Sequence, residues 1–159
     1  MKLIKKKKLI FRFDVGLKNG LGHYNRSIIL INFFLKKNFS IKICTNTDSK
    51  VFFSQNLLKL IFLKKKFERE EDYIDRITNK FNDYIIFIDK PYNYKKKDIL
   101  KLKKNNQVIM IQNFFKNSEN ADKIIFPDIH NKIRVKKNKV FKGLKYFLIR
   151  DNILKIKKI

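Results

Sequence analysis

Short β-branched and aromatic runs alternate with helix-length stretches along most of the chain, and this alternation is the strongest constraint on its fold. Lys8–Phe13 (KLIFRF), Ser40–Cys44 (SIKIC), Leu60–Leu63, Tyr84–Ile88 (YIIFI), Val108–Ile111 and Lys123–Phe126 read as strands. Between them, His23–Lys37, Val51–Leu57, Glu68–Phe81 and Asp98–Lys104 read as helices. YIIFI is apolar throughout, as expected of a central parallel strand covered on both faces. The pattern predicts an α/β fold: a doubly wound, mostly parallel Rossmann-like sheet with helices on both faces. His23–Lys37 carries apolar residues around most of its circumference and is expected to be largely buried. Glu68–Phe81 holds acids in its first turns, where the helix dipole favours them, and Tyr73, Ile77 and Phe81 on one face.

With 159 residues, the chain fits one domain, taken as 1–150 with a tail at 151–159. It carries 39 Lys and Arg against 14 Asp and Glu, a formal charge of +25. Such a charge invites nucleic acid, because clustered cations release counterions from phosphates. The composition argues otherwise. Lys (33), Ile (24), Asn (17) and Phe (16) make up more than half of the chain, beside a single Ala, and all four use A/T-rich codons. Only six of the cations are Arg, and the runs Lys5–Lys8, Lys64–Lys66 and Lys95–Lys97 are scattered. The expectation is a solvated lysine surface without a specific nucleic-acid partner; a non-catalytic polyanion or RNA binder is the alternative from another class. One cysteine, Cys44, excludes a disulfide scaffold and a thiolate zinc site, and at the end of an apolar strand it reads as a buried, inert thiol. No apolar run is long enough to cross a bilayer. The N-terminus has the positive start of a secretion signal, but its apolar stretch, Leu9–Phe13, is short, interrupted by Arg12 and followed by no small-residue cleavage site, so a cytoplasmic location is expected.

Chemistry concentrates in the loop after the first strand. In doubly wound sheets the ligand crevice lies at the carboxyl ends of the strands. Here three of the four glycines, Gly16, Gly20 and Gly22, precede a helix that opens with His23, in the spacing Arg12-x-Asp14-x5-Gly20-x-Gly22-His23-x2-Arg26. Glycines let a ligand approach the backbone, and the helix start presents free N–H groups to an anion. An imidazole there is placed to act as a base near neutral pH. On spacing alone, a plain helix-starting role for His23 and a turn role for the glycines remain open. The dinucleotide fingerprint does not fit, since Asn25 stands where the third glycine belongs. His130, in PDIHNK, reads as a loop residue.

The stretch Phe11–Arg26 (FRFDVGLKNGLGHYNR) resembles the R-x-D-x5-G-x-G-H-x2-R opening of the PseG/SpsG family, and all six signature positions match. These are nucleotide-sugar hydrolases of the pseudaminic-acid pathway, related to MurG-like glycosyltransferases of GT-B architecture. Gly143, Tyr146, Leu148 and Arg150 are similar to the family's G-x-x-Y-x-L-x-R segment. Asp89 and Tyr92 are similar to its D-x-Y, with one extra residue between them. After the fifth strand, where relatives tend to carry an acidic pair, the chain has Gln112 and Asn113.

The resemblance implies the N-terminal half of a GT-B architecture and release of UDP from a diacetamido-trideoxy hexose, with inversion at the anomeric carbon. It implies His23 as the general base for the attacking water, Asp14 and Arg26 orienting the turn and the imidazole with Arg12 in support, and Tyr92 near water or sugar. Arg12, Asp14, Gly20, Gly22, Arg26, Asp89 and Tyr92 are thus the expected substrate-binding residues. No metal or other cofactor is implied. The partners implied are a UDP-linked amino sugar and a second, nucleotide-binding half; 151–159 lies where that domain would begin, so either a separate chain supplies it or the chain is a truncated or decayed copy. Glycosyl transfer, with His23 deprotonating a sugar hydroxyl, is the alternative within the same fold.

Overall fold

The computed structural model describes residues 7–16, 21–90, 92–111, 117–126 and 140–143. In chain order these form β1 (Lys8–Arg12), α1 (Gly22–Lys36), β2 (Ser40–Asn46), α2 (Gln55–Leu58), β3 (Ile61–Lys64) and α3 (Glu70–Lys80). β4 (Tyr84–Ile88), α4 (Lys96–Lys103), β5 (Gln107–Ile111), β6 (Lys123–Phe126) and β7 (Val140–Lys142) follow. The strands make one sheet in the order β3-β2-β1-β4-β5-β6-β7, and every neighbouring pair is parallel. The expected α/β, doubly wound, Rossmann-like architecture is what forms, with a fully parallel sheet among the described residues.

The strand order fixes where the helices go. From β1 the chain moves outward through β2 to β3, then returns across the sheet to β4 and moves outward the other way. Right-handed crossovers therefore place α1 and α2 on one face and α3 and α4 on the other. Two cores record this. Leu9, Phe11, Phe13, Ile41, Ile43 and Phe87 pack on the α1 side with Ile31. Ile10, Cys44, Ile86, Ile88 and Val108 pack on the other side with Tyr73, Ile77, Ile99 and Leu102. Period-two alternation along β1 and β4 sends neighbouring residues to opposite cores, which explains why YIIFI can be apolar throughout. Phe11 and Phe87 stack across these two strands at 5.0 Å. The switch in strand order falls between β1 and β4, and this is where a crevice opens in such sheets.

Three local expectations are revised. The segment expected to be helical over Val51–Leu57 is divided between a 3₁₀ stretch at Thr47–Phe52, capped by the Asn46 side chain, and the short α2. α1 is less buried than its pattern suggests: Ser27 and Ile31 are buried, whereas Phe33 is 54% exposed. In a chain this rich in Ile and Phe, apolar residues also populate the outer side of a helix, so the pattern overstates burial. β7 was not anticipated from the sequence; its three residues are too few to show a period. After α1, the left-handed backbone of Asn38 (φ 60) turns the chain into β2.

Candidate active site at the strand carboxyl ends

β1 and β4 run paired to their last residues, and the Asp89 N–H donates to the Arg12 carbonyl at 2.9 Å. Beyond that bond the pleat sends Arg12 and Asp14 to the α3 side and Asp89 to the α1 side. The residues expected to form one site therefore build two polar clusters, one on either face of the switch point.

On the α1 face, His23 lies in the first turn of the helix and Arg26 one turn on, so both side chains share one flank. His23 Nδ1 is 2.6 Å from Asp89 Oδ1. Arg26 donates to both Asp89 oxygens, Nε to Oδ2 at 3.0 Å and Nη2 to Oδ1 at 2.9 Å. The Asp89 side chain is 1% exposed, and those of His23 and Arg26 about a fifth exposed (19% and 21%). A carboxylate can only accept, so the Nδ1 facing it carries the proton. In the neutral imidazole the second ring nitrogen, Nε2, is then a lone-pair acceptor. The 2.9 Å approach of Arg26 Nη2 to Nδ1 follows from both groups donating to the same oxygen. A buried carboxylate that fixes the tautomer of a part-exposed imidazole is the arrangement that prepares a general base.

On the α3 face, Arg12 is buried and donates in bidentate fashion to Glu70, Nε to Oε1 at 3.0 Å and Nη2 to Oε2 at 2.9 Å. It also donates to Asp14 at 2.6 and 3.1 Å and to the Cys44 carbonyl at 3.3 Å. Lys90 Nζ bridges the same two carboxylates, 2.8 Å from each, and the Tyr94 hydroxyl donates to Glu70 at 3.2 Å. Two cations and two carboxylates balance. Burial pushes the Asp14 and Glu70 carboxyls up, and the charges and hydrogen bonds of Arg12 and Lys90 more than offset this, leaving both below their ordinary values. Burial and the neighbouring Glu70 charge raise the Tyr94 hydroxyl well above its usual range. Asp14 also accepts from the Asn46 N–H at 2.9 Å, tying the end of β1 to β2. The hydrogen bonds of Asp14 and Arg12 thus run to β2 and α3, whereas those described for the imidazole run to Asp89 and Arg26.

Tyr92 is placed apart from His23. Its ring packs edge-on against Tyr94 at 4.8 Å, with Lys90 Nζ 5.2 Å from its centre, on the α3–α4 side. Gly22 has no positive φ, so the backbone needs no glycine there. A Cβ at Gly22 would meet Arg26 Nη1 at 3.6 Å, an ordinary contact. Gly20, Gln112, Asn113, His130, Tyr146, Leu148 and Arg150 lie outside the described residues. The buried Cys44 thiol is pushed up to about 12, chiefly by burial, in keeping with an inert role. Residues not anticipated from the sequence are Glu70, Lys90 and Ser49, whose hydroxyl accepts from the Val15 N–H at 2.8 Å and clamps the loop after β1. Among the described residues, no three His, Cys, Asp or Glu side chains are grouped to hold a metal ion, and no helix is long and apolar enough to cross a membrane. Set against known protein families, curated proteins and solved structures, the chain matches none.

Two expectations follow. Because the folded-state values of Asp14 and Glu70 are depressed, their stabilisation is present above the ordinary carboxylate range and is lost as pH falls through the depressed values. Melting temperature should hold steady from neutral pH to about pH 5 and fall steeply below about pH 4. Arg12→Met, which removes the cation, should flatten that dependence in thermal melts. Gly22→Ala should leave the melting temperature unchanged or raise it, by up to about 1 kcal/mol of stability; a drop of several degrees would show that the helix start is strained.

Proposed function

We propose that the chain supplies the base-bearing half of a UDP-sugar hydrolase that directs water at the anomeric carbon. The observation that carries this reading is the 2.6 Å contact of His23 Nδ1 with the buried Asp89 carboxylate, at the switch point of a doubly wound sheet. It leaves Nε2 free to take a proton from water. The water oxygen forms the new bond to the anomeric carbon as the glycosidic C–O bond breaks, and UDP departs with the electron pair. Being already anionic, the diphosphate needs no general acid. Arg26, through its two hydrogen bonds, holds the Asp89 carboxylate in place. The resemblance of Arg12–Arg26 to the PseG/SpsG opening supports the choice of a UDP-linked amino sugar.

Every cation described at this crevice is committed to a carboxylate: Arg12 and Lys90 to Asp14 and Glu70, Arg26 to Asp89. A departing diphosphate needs donors beyond these paired groups, so a second nucleotide-binding half supplying them belongs to the proposal. The test is to combine the chain with candidate nucleotide-binding halves, add UDP-linked amino sugars with and without acceptor sugars, and follow free sugar and conjugate. Free sugar and UDP are expected. A conjugate that appears only with acceptor would assign glycosyl transfer, and turnover without His23 would remove it from the mechanism.

A further inference from the structure

All strands being parallel, the loops after β1, β2 and β3 emerge side by side at one end of the sheet. Each places an apolar side chain in solvent. Leu21 is 54% exposed after β1, Val51 is 84% exposed after β2, and Phe67 is 91% exposed after β3. The loops at the opposite end, around Asn38, Lys59, Asn82 and Asn105, expose no large apolar side chain among the described residues. Exposure on this scale costs solvation free energy without a folding benefit, because these side chains touch neither core. Lysines flank the tips: Lys50 precedes Val51, and Lys65 and Lys66 precede Phe67, all exposed. Lysines also occur at the other end, so charge alone does not single this rim out; the combination with apolar tips does.

We infer that this rim is a peripheral membrane-docking surface that inserts Val51 and Phe67 into the interface of an anionic bilayer. The tips stand on three separate loops in a row, which suits a flat, fluid surface that accepts each one singly. Lysine ammonium groups beside them match anionic headgroups, and shallow apolar insertion adds to the electrostatic attraction. The inference does not depend on the hydrolase reading, although it would bring the carboxyl-end crevice to face the bilayer.

Sedimentation with vesicles of phosphatidylcholine, or of three parts phosphatidylcholine to one part phosphatidylglycerol, tests it at about 150 mM salt, where bare surface charge is largely screened. The full chain should partition onto the anionic vesicles and not onto the neutral ones. Val51→Ser with Phe67→Ser, which keeps every charge, should weaken that partition at least about tenfold with an unchanged thermal melt. Leu100→Ser, an exposed apolar site on α4, should have no effect. Equal binding by the double variant would show that charge alone drives association and would overturn the inference, as would wild-type chain that stays in solution with anionic vesicles.

Discussion

Glu70→Gln should destabilise the fold by about 3–5 kcal/mol, because it removes one of the two carboxylates that balance the buried Arg12 and the part-buried Lys90. The amide would also turn donor hydrogens toward Arg12, which can only donate. For a domain of this size the loss corresponds to a fall in melting temperature on the order of 10 °C. Lys90→Met added to Glu70→Gln restores the charge balance and should recover part of that loss. A melting temperature within about two degrees of wild type for the single variant would mean that water reaches the cluster and the network is weaker than its geometry implies.

His23→Ala should act in the opposite sense, sparing the fold and removing the chemistry. Asp89 keeps two hydrogen bonds from Arg26 when the imidazole is deleted, so no buried charge is stranded. UDP release by the assembled enzyme should fall by on the order of 10²–10⁴, the usual contribution of a positioned proton acceptor. Asp89→Asn should cost a similar factor and also lower stability, since Arg26 loses its carboxylate. If instead His23→Ala melts several degrees lower with turnover unchanged, the imidazole is structural.

The architecture was largely legible because its signals are local. β4 and β6 fall at the expected residues, and the longer helices α1 and α3 begin and end within about two residues of expectation. Period and run length suffice for that. The described residues of the Arg12–Arg26 motif lie at the carboxyl ends of the strands. What its spacing could not convey is the pleat, which separates Arg12 and Asp14 from His23 although all belong to one motif. Glu70 lies 58 residues from Arg12, a pairing that no local pattern encodes. One signal was nevertheless present. Glu70 shares the helical spacing of Tyr73, Ile74 and Ile77, and a carboxylate on a buried stripe implies a buried cation. Only motif likeness points to Tyr92, and its ring packs on the α3–α4 side against Tyr94.

The central claim, that His23 directs water at the anomeric carbon, is tested most directly by isotope. A UDP-linked diacetamido sugar turned over in ¹⁸O water should place the label on the sugar hydroxyl of the inverted anomer, with none in UDP, and His23→Ala should slow formation of that product by on the order of 10²–10⁴. Label appearing in the diphosphate would show P–O cleavage and contradict the account.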